Sequence, residues 1–155
     1  MLKNSQISWY AGGLYFECVR CGRCCSGPAA GYIWVTRQEL QIIADFLKMD
    51  AKELRRKFFK RVGLRTSIVE QPLTRDCAFL QAVGGKKRCV IYHIRPKQCR
   101  DWPFWSDNLM NADAWNKAAE RCPGINRGIF YSFEQIRRIK KSKKWWQDTE
   151  QKTAS

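Results

Sequence analysis

Apolar positions recur at helical spacing in four stretches of this chain and fall into strand-like runs in two others. Thr36 and Glu39 have capping-box spacing, Leu40, Ile43 and Leu47 follow as one apolar face, and Val35 is placed to staple against Leu40. DAKELRRKFFKRVG repeats the device: Asp50 caps, Glu53 follows three later, Leu54, Phe58 and Val62 face inward, and Gly63 stops the helix. A third helix is predicted over 112–121; it delivers Cys122 at its end and stops at Pro123-Gly124. A fourth starts at Ser132, with Gln135 in the capping place, and carries the run RRIKKSKKWW (137–146) into a frayed polar end. YIWV (32–35) reads as a short strand, and CAFLQAVGGKKRCVIY (77–92) as a hairpin around Gly84-Gly85 with Cys77 and Cys89 on its arms. RPKQCRDWPFW (95–105) reads as a turn segment punctuated by Pro96 and Pro103.

Composition narrows the class. A chain of 155 residues with seven Trp, five Tyr and eight Phe has the length of one domain and ample material for a core, which excludes a disordered chain. No run approaches the roughly 18 apolar residues of a membrane span, so no transmembrane segment is expected. The opening MLKNSQISWYAGG lacks a signal-peptide core, so a cytoplasmic location is the expectation. Thiols stay reduced there, and clustered cysteines then read as metal sites rather than as the disulfide staples of a secreted scaffold. The formal charge of +15 favours association with polyanions without naming one.

The chemistry is concentrated in ECVRCGRCCSG (17–27), which places Cys18, Cys21, Cys24 and Cys25 within one loop. One turn of chain cannot bury four thiols on one face, and the neighbours Cys24 and Cys25 would form a disulfide only with strain. Thiolates are soft ligands for zinc or iron, and CxxCxxC spacing lets three sulfurs converge on one centre, as in loops that hold a 4Fe–4S cluster. Cys25 is then the extra thiol, and divergence of neighbouring side chains predicts that it turns to a second centre or bridges. Cys77, Cys89, Cys99 and Cys122 are scattered, and the lack of a second CxxC disfavours a zinc ribbon. Four plus four permits two four-thiolate centres, or one centre with the spare thiols packed as small hydrophobes.

The blocks CVRCGRCC, CAFL, CVIYHIRPKQCRDWPFW and CPGI resemble those of the CxxCxxCC cysteine-cluster family, often called YkgJ-type, across roughly Trp9 to Gly128. The resemblance implies a zinc- or iron-chelating domain with ligands Cys18, Cys21, Cys24, Cys25, Cys77, Cys89, Cys99 and Cys122. A flagellin lysine methylase group has a similar cysteine block and an iron–sulfur centre, which tilts the expected cofactor towards an iron–sulfur cluster, 4Fe–4S first, over Zn2+. The expected fold is α+β: a small metal-stabilised domain over 1–128 with short helices, a β-hairpin and irregular loops, then a basic C-terminal helix and tail over 129–155.

The remaining candidates carry two readings each. His93, the one histidine, is either a further ligand or an ordinary residue at the end of the hairpin. Arg95, Arg100 and Asp101 are either hydrogen-bonding neighbours of the thiolates or a salt-bridged turn. Trp102, Phe104, Trp105 and Trp115 would wall the site from water, or simply pack a core. The basic runs 55–61 and 137–146, with Trp145 and Trp146, suit RNA, DNA or an anionic surface, or are solvated helix faces. Three function classes follow: a chelating module acting with an unknown protein partner, an iron–sulfur enzyme of redox or methyl-transfer chemistry, and a zinc-stabilised nucleic-acid-binding protein. Against the enzyme, the chain has no nucleotide-binding glycine loop, no CxxxCxxC and no Ser/His/Asp set.

Overall fold

A computed structural model of the chain describes residues 7–25, 31–142 and 144–146. The chain divides into two compact units, Met1–Cys21 with Asp101–Lys143, and Gly22–Arg100 with Lys144–Ser155. The class is α+β, with short helices and small antiparallel sheets.

In the second unit, β2 (Trp34–Val35) leads into α1 (Arg37–Leu47), and the expected capping box forms. Thr36 Oγ1 accepts the Glu39 N–H at 3.0 Å, while Glu39 Oε1 accepts the Thr36 N–H at 2.9 Å. Asp50 caps α2 (Ala51–Phe58) by accepting from Lys52 and Glu53. The helix then stops four residues earlier than its apolar spacing suggests, because residues 59–62 become β3 (Phe59–Val62). Phe59 points into the core while Lys60 and Arg61 stay exposed, and β4 (Arg65–Ile68) supplies partners for all four. Gly63, at φ +62°, therefore opens a two-residue hairpin turn instead of ending a helix. β4 is the centre of the sheet, flanked by β2 and β3.

The second hairpin, β5 (Leu80–Val83) and β6 (Lys86–Cys89), turns at Gly84-Gly85 as read from the sequence. Cys77 lies outside the paired arm and bridges to Glu70. The segment expected as a plain turn contains a short helix, α3 (Lys97–Asp101), started by Pro96, whose carbonyl accepts the Arg100 N–H. Within this unit Glu39 Oε2 accepts the Lys97 N–H at 2.6 Å, and Gln98 hydrogen-bonds the backbone of Tyr32 and Trp34. The unit packs around Val35, Leu40, Ile43, Leu54, Phe59 and Phe79.

Phe79 is fully buried, with its ring stacked on Phe58 at 4.8 Å and tilted against Phe59 at 5.8 Å. Replacing Phe79 by alanine is expected to cost about 3–5 kcal/mol, read as a shift of the urea midpoint. A shift worth under about 1 kcal/mol would contradict its place at the centre of the core.

The first unit pairs β1 (Leu14–Phe16) with β7 (Ile129–Tyr131), in the register Leu14↔Tyr131, Tyr15↔Phe130, Phe16↔Ile129. α4 (Ala112–Arg121) matches its predicted span, with Asn111 capping Ala114, and Cys122 as its C-cap. α5 (Phe133–Lys141) begins with the expected Ser132–Gln135 box, and Ile136 is buried in a core with Phe16, Phe104, Trp115 and Ile125. The helix ends at Lys141 with Ser142 as its cap, so the basic run 137–146 is not one continuous helix. Lys144, Trp145 and Trp146 belong to the second unit, and the end, residues 147–155, lies outside the described residues.

Candidate metal centre

Five of the eight cysteines fall in the second unit: Cys24, Cys25, Cys77, Cys89 and Cys99. The loop carrying the first two is seated on the hairpin. Gly22 takes φ +74°, and a Cβ there would meet Leu80 Cδ1 at 2.9 Å and the Lys87 carbonyl oxygen at 3.5 Å. Only glycine combines that backbone with that approach. A 3₁₀ turn over Arg23–Cys25 follows, closed by the Cys25 N–H donating to the Gly22 carbonyl at 3.1 Å. The Cys25 carbonyl accepts the Cys77 N–H at 2.8 Å, the Cys77 carbonyl accepts the Leu80 N–H at 2.9 Å, and Leu80 pairs with Cys89. Backbone hydrogen bonds thus tie three cysteine-bearing segments around Leu80. Asp76, buried, takes Lys87 Nζ at 2.7 Å and anchors the residue before Cys77 to β6. Cys99 is on α3, which Glu39 and Gln98 hold.

The sulfurs of Cys24 and Cys25 lie 3.8 Å apart. The expectation that these neighbours diverge is therefore corrected: a one-carbon stem lets each sulfur swing, and the tight turn brings both to one side. The hydrogen bond with Cys24, then burial, then the charges of Cys24, Cys99 and Cys77 push the Cys25 thiol far above its ordinary range. Burial likewise raises Cys99, with Cys77, Cys24 and Cys89 adding to the effect and Arg95 opposing it. Cys77 is pushed up to about 11, mainly by burial, with the backbone amides at Phe79 and Leu80 opposing the rise. Each thiol thus feels the charge of the others, and none forms a disulfide.

Among the described residues, no three His, Cys, Asp or Glu side chains converge closely enough to enclose an ion. The donors nevertheless fit a metal in kind and number, and one pair fits in spacing. Thiols raised in this way are protonated at neutral pH unless a cation compensates them.

That raised Cys77 value makes a prediction for the metal-free protein. The folded thiol ionises near 11 and the unfolded one near 9.0, so the contribution is complete below about pH 9. Stability is expected to fall as pH rises from about 9 to 11, followed by chemical denaturation of the chelated protein. Stability that rises across that window would show a stabilised thiolate instead.

The first unit holds Cys18, Cys21 and Cys122. Cys122 is buried at the end of α4, and Trp102 Nε1–H donates to its sulfur at 3.5 Å. Cys18 packs on the same apolar core, and the Arg20 N–H approaches its sulfur at 3.4 Å. Arg20 takes φ +55°, which presents that N–H two residues after the cysteine. Cys21 is exposed. The CPG stretch is held by close approach to the backbone of residue 17: the Glu17 N–H donates to the Gly124 carbonyl at 3.0 Å, and a Cβ on Gly124 would collide with the Glu17 carbonyl. Gly124→Ala is expected to destabilise this unit by about 1–3 kcal/mol, measured by hydrogen exchange at β1. Unchanged exchange there would remove this account of the glycine.

Other candidates divide similarly. His93 is exposed, edge-on to Tyr92. Arg95 hydrogen-bonds the Tyr92 carbonyl at 3.0 Å and lies over the Tyr92 ring, from where its charge reaches Cys99. Arg100 is exposed, and Asp101 is buried. Trp102, Phe104, Trp105 and Trp115 all lie in the first unit. Phe104 stacks on Trp115 in the core, Trp102 meets Trp105 edge-on, and Trp102 also bonds Cys122. The Arg20 amide faces the Cys18 sulfur, as a loop with this cysteine spacing allows. A backbone donor has no residue type, so only the tight spacing in CVRC hints at it.

The family model of the CxxCxxCC domain, described as "Putative zinc- or iron-chelating domain", matches residues 17–123. The uncharacterized protein MJ0661 of Methanocaldococcus jannaschii is 29% identical over 106 residues, covering 67% of this chain and 54% of its own. The chain thus spans about half the length of this curated relative. No solved structure matches it. No helix among the described residues is long and apolar enough to cross a membrane.

Proposed function

Since the chain belongs to the CxxCxxCC family of zinc- or iron-chelating domains, we propose that it is a metal-binding module with one centre in its second unit, held by four of Cys24, Cys25, Cys77, Cys89 and Cys99. The observation that carries this reading is the 3.8 Å separation of the Cys24 and Cys25 sulfurs. A tetrahedral ion with metal–sulfur bonds of about 2.3 Å holds its sulfurs about 3.8 Å apart. Thiolates on a 4Fe–4S cluster each take a separate iron and stand further apart, so a single Zn2+ or iron ion suits this pair better. When bound, the ion compensates thiolates that burial disfavours and ties the 22–25 loop to the hairpin and α3. Cys18, Cys21 and Cys122 form the second, smaller set among the eight candidate ligands. A reducing compartment such as the cytoplasm suits so many thiols.

An iron–sulfur centre is the second reading, supported by the two-residue gaps of Cys18, Cys21 and Cys24. Metal and acid-labile sulfide analysis of protein purified without oxygen separates the two. A single-ion centre gives zinc or iron without sulfide. Iron with an equal amount of labile sulfide would overturn it in favour of the cluster, and fully stable metal-free protein would overturn both.

A further inference from the structure

We propose that the solvent face of the β2–β4–β3 sheet binds single-stranded nucleic acid. The register sets Trp34 and Lys60 opposite Ser67, and Arg65 lies two residues before Ser67, so the three side chains share one face. Val35, Phe59 and Ile68 alternate to the other face and enter the core. Tyr32, 49% exposed, extends the platform, its ring stacked on Trp34 at 5.0 Å and 25°. The Arg65 guanidinium lies over the Trp34 ring at 5.3 Å and over the Trp146 ring at 3.7 Å, and Lys60 Nζ lies over Tyr32 at 5.3 Å. Flat aromatic faces and fixed cations are thereby interleaved on one surface.

The surrounding charge selects the occupant. Between Glu53 and Glu70 the sequence holds Arg55, Arg56, Lys57, Lys60, Arg61 and Arg65 and no acidic residue. Only Lys57 of these is drawn into an ion pair among the described residues, with Glu53 at 2.9 Å. A single strand offers what this surface matches: unstacked bases to lie on rings and phosphates to meet cations. A duplex keeps its base faces stacked, and an anionic bilayer offers charge without flat faces. The inference is independent of the metal centre.

Fluorescence anisotropy of a labelled 15-nucleotide oligouridylate, titrated with the full chain over a salt series, tests it. A duplex of equal length and vesicles rich in phosphatidylserine serve as competitors. Tyr32→Ala is expected to weaken binding roughly fivefold or more, the low end of what one stacked base contributes, without changing the salt slope. Tyr32→Phe should retain the affinity. Lys60→Gln should flatten the slope of log K against log salt by about 0.7, the value for one phosphate contact on a single strand. Circular dichroism and metal content matching the parent keep these variants interpretable. No binding at low salt would overturn the proposal. So would competition by duplex or vesicles as strong as by single strand, with Tyr32→Ala indistinguishable from the parent, because net charge alone would then account for the association.

Discussion

Removing the metal is expected to lower the melting temperature by at least roughly 10–20 °C and to open the cysteine loop to trypsin. Structural zinc is worth about 10–16 kcal/mol of apparent binding energy in small domains, and about 1 kcal/mol moves the midpoint of a chain this long by roughly 2–4 °C. Even a third of that energy spent on folding accounts for the shift. The loop is the vulnerable part because the regular structure it holds is a single 3₁₀ turn over Arg23–Cys25. Trypsin sites at Arg20 and Arg23 flank Cys21 and report the opening directly. α1 and α2 carry no cysteine, so helical signal should survive while the loop loosens. A chelated protein that melts as high and as sharply as the loaded one, with Arg20 and Arg23 equally protected, would mean the metal has no structural role.

Cys24→Ser and Cys25→Ser are each expected to remove most of the metal from the second unit, and together no more than either alone. On the proposed centre, two sulfurs 3.8 Å apart would act as one bidentate arm, so losing either would leave a hard hydroxyl in a soft position. Cys77→Ser and Cys99→Ser should lose less on their own, since Cys77, Cys89 and Cys99 would supply two places beside the Cys24–Cys25 pair and one can substitute for another. Cys21→Ser, at an exposed position in the first unit, should leave that metal in place. Metal-to-protein ratios of the purified variants, compared after equal washing with a weak chelator, give the ranking. If Cys21→Ser strips the metal while Cys25→Ser keeps it, the assignment of the centre to the second unit fails.

Much of this was legible from local sequence because it rests on local rules. The Thr36–Glu39 and Ser132–Gln135 boxes, the Asp50 cap, the Gly84-Gly85 turn and the span of α4 each depend on residues within a few positions of one another. What escaped was either ambiguous locally or dependent on a distant partner. Phe59–Val62 continues a helical apolar period, yet β4 offers backbone hydrogen bonds that a helix end does not, and the strand wins. β1 and β7 are three residues each and over a hundred apart, so neither carries a signal of its own. α3 was masked by its prolines, although Pro96 starts it. For the site, the cysteine types and the family resemblance pointed to the donors. Long-range pairing adds what spacing cannot give: the hairpin and the Cys25–Cys77 hydrogen bond bring the segments of Cys25, Cys77 and Cys89 together.

X-ray absorption at the metal edge of the loaded, anaerobically purified protein tests the central claim most directly. A single ion held by the thiolates of the second unit predicts a first shell of about four sulfurs at about 2.3 Å and no metal–metal scattering beyond it. A shell dominated by oxygen or nitrogen, or strong iron–iron scattering from a cluster, would contradict it.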